Sequence, residues 1–247
     1  CQIGSGASIA ARSGFDVVCD FRSLDVAYAG QGAPLVPIGD RLLFNSYDFR
    51  LNLGGFANIS YEEKGRTLAF DIAPANIALN HFAAMQGLDF DLNGDIAAKG
   101  IIIPDLLEKL NALEYYQVKG AKSLGREWFE TIFLPIINTS LEVKDILRTL
   151  VEHIAIQVSK VITQTAKHKL LITGGGAYNS TLIKVLSNKT KVEICLPSDE
   201  LINFKEALIF AFLGVLRWEN SINTLKEVTG AKIDSIGGAI YKGKTIS

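Results

Sequence analysis

The sequence predicts an α/β fold, a mixed sheet with helices on its faces, and three observations predict it. Beyond residue 48, strand-like apolar runs alternate with helical patterns, the order expected when a sheet is covered by helices. The runs at 16–21, 169–173 and 192–196 are short, apolar and rich in branched residues, as buried strands are. The run at 169–173 passes directly into Gly174-Gly175-Gly176, a turn at the strand end where such sheets gather ligands.

Taken in order, residues 5–13 are Ala-rich and stop at Gly14, which predicts a short helix. Residues 16–21 form the first short strand. The stretch 22–37 holds Gly30, Gly32, Pro34 and Pro37 and reads as an irregular loop. With Asp20, Arg22, Asp25 and Gln31 it is either a ligand wall or a connection with solvated charges. A strand carrying Gly54-Gly55 follows at 51–60, then a polar turn at 62–66 and a return strand at 68–72. Pro74 is placed for the first turn of a helix over 75–86, with Gly87 as its stop.

Residues 89–95 mimic the opening of a calcium loop, but position twelve is Gly100 where a bidentate glutamate is required, so a polar turn is the better reading. A short helix is expected at 104–113. A basic Gly-containing loop at 119–126, open to an anion or simply solvated, leads to a helix over 127–134. The longest helix is expected at 141–166, where apolar residues recur every three or four positions and enclose His153, read as a histidine at the core edge. A helix follows the glycine cluster, and another at 204–218 contains Glu206. The Gly-rich tail, 224–241, is expected to pack irregularly.

The residue types suited to chemistry fall in few places. Gly54-Gly55 and Gly174–Gly176 are sites where bare backbone N–H groups approach phosphate oxygens without a Cβ in the way, although tight turns need glycine as well. Neither cluster is a Walker A loop or a dinucleotide fingerprint. Asp71 ends the return strand just before the helix. It reads equally as a base for an acceptor hydroxyl or as a carboxylate at a helix N-terminus. Two phosphate-sized turns and one acid are parts for phosphoryl transfer, which needs positioning, charge neutralisation and a base.

Composition removes other classes. The 247 residues carry 25 Lys+Arg against 26 Asp+Glu, a formal net charge of -1, which argues against nucleic acid or an anionic membrane as partner. The three cysteines, Cys1, Cys19 and Cys195, are scattered, so neither a disulfide framework nor a protein-held metal is expected. No run spans a bilayer and none resembles a signal peptide, so a cytoplasmic location is expected. The chain opens on Cys-Gln-Ile-Gly without an initiator Met, and a fragment is expected.

Eight segments in order then carry a specific likeness: Gln-Ile-Gly at 2–4, DFRSLDVAYAGQGAPLVP at 20–37, LNLGGFANIS at 51–60, FDIAPAN at 70–76, KSLGRE at 122–127, GGGAYN at 174–179, KEALIFAFLG at 205–214 and NTLKEVTGA at 223–231. In these the chain resembles the anhydro-N-acetylmuramic acid kinase family, members of the actin-like ATPase (RNase H-like) and sugar-kinase superfamily. The resemblance implies an ATP-dependent kinase of cell-wall recycling. It would open the anhydro ring of 1,6-anhydro-N-acetylmuramic acid to give the 6-phosphate, with Mg²⁺ accompanying ATP and a homodimer as the usual assembly.

Residue by residue, Asp71 matches the catalytic base. Gly54, Gly55 and Asn58 fall in the second phosphate segment, and Gly174, Gly175, Gly176 and Asn179 in the nucleotide segment. Asp20, Arg22, Asp25 and Glu206 fall on the amino-sugar side. The same resemblance implies that residues 1–48 are the remnant of a first lobe with a substrate-side loop. Residues 49–247 would be the second lobe, with 221–247 packing back on the first. An upstream G-T-S-x-D-G phosphate loop would precede Cys1, and residues 1–247 alone are expected to be inactive.

The departures from the family pattern are Ala73 and Ala75 in place of glycines, Asn80 in place of an aspartate, and Leu24 in place of an arginine. They keep open a diverged, non-catalytic nucleotide- or sugar-binding relative, or a kinase for another amino sugar.

Overall fold

The computed structural model describes residues 4–118, 120, 122–162 and 169–244. Along the chain run helices α1 (Gly6–Ser13), strand β1 (Val17–Cys19), α2 (Ser23–Ala27), α3 (Val36–Leu43), β2 (Phe49–Leu53), β3 (Phe56–Glu63), β4 (Arg66–Pro74), α4 (Asn76–Ala84), α5 (Pro104–Asn111), α6 (Arg126–Trp128), α7 (Val143–Ile162), β5 (Lys169–Thr173), α8 (Ser180–Ser187), β6 (Glu193–Cys195), α9 (Asp199–Trp218), α10 (Lys226–Thr229) and β7 (Ala239–Tyr241). The chain divides into two compact units. The larger comprises Asn45–Glu62 and Leu68–Lys205; the smaller takes the stretch up to Phe44, Glu63–Thr67 and the chain from Glu206 onward.

The larger unit is built on a five-stranded mixed sheet in the order β4-β3-β2-β5-β6. β2 pairs antiparallel with β3 and parallel with β5, and β5 pairs parallel with β6. A parallel neighbour needs a long crossover, and here residues 54–168 supply it, with two further strands and the helices on the way. Phe49, Leu51 and Leu53 of β2 and Leu170 and Ile172 of β5 are fully buried in one core with Ile146, Leu150 and Ile154 of α7. α7 packs against α4, α5 and α8. The α/β class with a mixed sheet flanked by helices is therefore what the alternation of patterns indicated.

Several boundaries differ from the pattern reading, each for a local reason. Gly54-Gly55 does not lie inside one strand. It is the turn between β2 and β3, in register Leu53 opposite Ala57, so the expected two-stranded hairpin is a three-stranded meander. Pro74 does not open a helix but is the last residue of β4, an edge strand. α4 starts at Asn76, after a non-helical Ala75 (φ -118°, ψ -103°). The expected helix over 127–134 is a three-residue α-turn followed by a π-turn over Phe129–Phe133 and a 3₁₀ turn over Leu134–Ile136.

Asp91 uses both oxygens on the N–H groups of Ile96 (2.8 Å) and Ala97 (3.0 Å), so the calcium-like run is a polar turn closed by its own carboxylate. The C-terminal end of the expected 141–166 helix, Cys1, Gln2 and positions 119 and 121 of the expected basic loop lie outside the described residues.

In the smaller unit the 22–37 stretch is not irregular throughout: α2 occupies its start, and α3 begins at Val36 with Pro37 in its first turn. Nor is the tail irregular. β7 pairs antiparallel with β1, Val17 opposite Tyr241, and Thr224 bridges Ser235.

Candidate active site

Because β2 and β5 are parallel neighbours, Asn52 opposite Thr173, their carboxyl ends lie side by side. The two glycine turns that follow are therefore packed against each other. Gly174 sits at φ +80°, ψ 164°, a conformation kept for glycine. A Cβ there would also reach the Asn52 amide and come within 2.9 Å of the Leu53 carbonyl. A Cβ on Gly176 would lie 2.6 Å from Leu53 Cβ. Both glycines are thus required by backbone packing alone. Gly55 and Gly175 differ: the nearest atoms to an added Cβ are at 4.0 and 3.5 Å, so their glycine identity has no packing explanation.

The Gly54-Gly55 turn also caps α4. The N–H groups of Ala75, Asn76 and Ile77 donate to the carbonyls of Gly55 (2.9 Å), Gly54 (3.0 Å) and Gly55 (3.0 Å), which satisfies donors that a helix start would leave open. Asn76 Nδ2 donates to the Leu53 carbonyl at 3.0 Å. The N–H groups of Gly55, Gly175 and Gly176 meet no acceptor among the described residues. Beside Gly175 and Gly176, though not bounded by Gly55, opens a cavity of about 440 Å³, lined by Asn76, Leu79, Asn80, Phe90, Leu92, Tyr178 and Asn179 among others. Asn179 caps α8 through the Leu182 N–H (2.9 Å). Tyr178 Oη donates to Asp199 (3.2 Å) and accepts from Asn203 (3.2 Å). Asn58 is half-buried and stands directly opposite Asn52 in the ladder.

Asp71 lies in β4, on the free edge of the sheet. One carboxylate oxygen accepts from the Leu124 N–H at 2.8 Å, and its own N–H donates to the Lys122 carbonyl at 3.0 Å. Burial raises its carboxyl above the ordinary range, against the lowering effect of the Leu124 hydrogen bond. A carboxylate so raised is a better proton acceptor than a solvated one. The helix-cap reading of Asp71 has no support, because the glycine carbonyls cap α4 instead.

Ala73 and Ala75 are fully buried members of the core. Asn80 lies on the cavity wall.

Four of the expected residues lie in the smaller unit. Asp25 is fully buried, with one oxygen accepting from the Gly32 N–H (2.8 Å) and the other from Thr229 Oγ1 (2.7 Å). Arg22 donates to the Gly32 carbonyl (2.5 Å), so Gly32 is held at both its N–H and its carbonyl. Asp20 accepts from Ser23 Oγ (2.7 Å) ahead of α2. Glu206 is exposed on α9.

Two residues beside the glycine turns, Asn52 and Asn76, were not among the expected site residues; Asn52 stands two positions before Gly54, but Asn76 is distant in sequence from both turns. Among the described residues no group of three or more His, Cys, Asp or Glu could hold a metal, and no helix is long and apolar enough to cross a membrane.

The family model for anhydro-N-acetylmuramic acid kinase matches residues 1–243. Three proteins named anhydro-N-acetylmuramic acid kinase are similar over 97% of the chain. Those from Sulfurovum sp. (strain NBC37-1) and Francisella tularensis subsp. novicida are 35% and 36% identical, with 68% of each relative covered. The one from Pseudomonas syringae pv. tomato is 37% identical, with 70% covered.

Proposed function

The chain belongs to the anhydro-N-acetylmuramic acid kinase family, and from that premise we propose that it works as an ATP-dependent kinase on 1,6-anhydro-N-acetylmuramic acid. The observation that carries the reading is the pair of glycine turns at the ends of β2 and β5, with Gly175 and Gly176, whose N–H groups meet no acceptor among the described residues, lining a cavity large enough for a nucleoside. Gly55, Gly175 and Gly176 donate to phosphate oxygens. The wall formed by Leu79, Phe90, Leu92 and Tyr178 takes the base, with Asn76, Asn80 and Asn179 as its polar contacts. Mg²⁺ enters on the ATP phosphates, since no protein cage for it exists among the described residues.

Asp71 is the general base. Its raised pKa and its second oxygen, which has no partner among the described residues, suit it to take a proton from water. That water attacks the anomeric carbon, the 1,6-anhydro bond breaks, and the released 6-oxygen takes the γ-phosphoryl group. The residues Asp20, Arg22, Asp25 and Glu206 are assigned to the amino sugar. For Asp25 the role is indirect, because one oxygen already accepts from the Gly32 N–H and the other from Thr229 Oγ1.

The test is transfer of the γ-phosphate of ATP to the anhydro sugar by the native protein, with Asp71→Asn beside it. The substitution is expected to lower turnover by about 10²–10⁴-fold and leave ATP affinity within about threefold. Absence of transfer by the native protein, with ATP binding intact, would instead establish the non-catalytic reading that Asn80 favours.

A further inference from the structure

We propose that Tyr115, Lys122 and Leu124 form a clasp that fixes the orientation of Asp71, with Tyr115 and Lys122 acting as positioning residues for the reaction. The inference rests on Asp71 being the base.

β4 is an edge strand, so the backbone of Asp71 has no sheet neighbour on its outer side. The clasp supplies one. Tyr115 Oη donates to the Asp71 carbonyl at 2.7 Å, the Lys122 carbonyl accepts from the Asp71 N–H at 3.0 Å, and the Leu124 N–H donates to Asp71 Oδ2 at 2.8 Å. Every backbone polar group of Asp71 and one of its oxygens is thereby committed, while Oδ1 keeps no partner among the described residues. A carboxylate held on one side only presents its other oxygen in a set direction, which a general base requires.

The clasp is tied to itself and to the core. Lys122 Nζ donates to the carbonyls of Tyr115 (2.9 Å) and Val118 (3.0 Å) and lies 4.4 Å from the Tyr115 ring centroid. The neighbouring Tyr116 shares a hydrogen bond of 2.9 Å with His153, which is fully buried on α7. Tyr115 also packs on Trp128, with ring centroids 5.3 Å apart. Among the described residues the Lys122 ammonium has no carboxylate partner; it meets carbonyls and the rings of Tyr115 and Phe70, so its work is to close the clasp and not to form an ion pair with Asp71.

The variants are Tyr115→Phe, which deletes the hydroxyl and keeps the ring, and Lys122→Met, which deletes the amine and keeps the stem. Lys122→Arg is the conservative rescue. Phosphate transfer from ATP to the anhydro sugar is followed with the native protein, these variants and Asp71→Asn. Both disruptive variants are expected to lose about tenfold in kcat with KM for ATP and sugar within twofold. Thermal midpoints should stay near native, and Lys122→Arg should recover most of the turnover. A Tyr115→Phe variant with kcat within twofold of native, in the presence of an inactive Asp71→Asn, overturns the clasp and leaves the base standing. A parallel fall in ATP affinity or in thermal midpoint assigns the segment a purely structural role and also overturns it. Full turnover by Asp71→Asn removes the base itself, and the clasp with it.

Discussion

At the scale of single residues, the glycines of the site separate into two kinds that composition cannot distinguish. Gly174 and Gly176 are glycine because Leu53 and Asn52 leave no room for a Cβ. Gly175, between them, has ordinary space for one and lines the cavity. Gly176→Ala is therefore expected to destabilise the protein by about 1–3 kcal/mol through overpacking. Gly175→Ala should change stability by less than about 0.5 kcal/mol and weaken ATP binding about tenfold. Urea denaturation with titration calorimetry separates the two; equal loss of stability in both variants would show that the turn is wholly structural. The sequence displayed a run of three glycines at a strand end and so located the turn. Which of the three faces a ligand depends on Leu53, which is 121 to 123 positions away, and no local pattern encodes that.

At the scale of elements, the long helix was legible because its apolar stripe repeats over many turns, and α7 buries His153 on that stripe. The surroundings of His153 were not legible, since its partners come from α5 and the turn beyond it. Asn111 Oδ1 accepts from Gln157 (2.6 Å) and meets His153 Nδ1 at 2.8 Å, so Nδ1 carries the hydrogen and Nε2 accepts from Tyr116. Only the neutral ring fits this arrangement.

Burial first, and the charge of Lys160 second, push the His153 pKa down to about 3. In the unfolded chain it titrates near its ordinary value of about 6.5. Between those values the unfolded chain binds a proton that the folded one does not, so stability falls as pH falls through that window. The slope is about 1.4 kcal/mol per pH unit, and above it His153 contributes no pH dependence. His153→Gln, which keeps both a donor and an acceptor, is expected to remove that slope between pH 6 and 4 in urea titrations at several pH values. An unchanged slope would mean the ring is protonated in place.

The same scale explains the misread meander. Leu51, Leu53, Ala57 and Ile59 keep the apolar alternation running through Gly54-Gly55, so the turn leaves no break in the pattern. Only the register, Leu53 opposite Ala57, reveals it.

At the scale of the whole molecule, the two units differ in how local their construction is. The larger one takes its sheet and helices from residues 45–205 with a single short interruption, and its alternating order is visible in the sequence. The smaller one joins the two ends of the chain: β1 pairs with β7, Asp25 accepts from Thr229, the Gln31 N–H donates to the Thr229 carbonyl (3.0 Å) and the Lys232 N–H to the Tyr28 carbonyl (3.0 Å). Partners some 200 residues apart leave no signature in local periodicity, which is why the Gly-rich tail read as irregular and why Asp25 read as a ligand-facing acid. Contacts so distant in sequence also carry a larger loop-closure cost than local ones.

A chain ending at Asn220 would delete β7 and Thr229, strip β1 of its only strand partner among the described residues, and leave the Asp25 carboxylate buried with one oxygen unpaired, at a cost of about 1–3 kcal/mol for that group alone. Hydrogen exchange on this truncated chain is expected to show loss of amide protection at 17–19 and 30–32, with protection of β2 and β5 retained because their ladder and core lie within residues 45–205. Retained protection at Gly32 would show that the Arg22 and Asp25 grip holds the loop without the C-terminal segment. Loss of protection in β2 and β5 as well would show that the larger unit does not hold its sheet independently of the chain's C-terminal end.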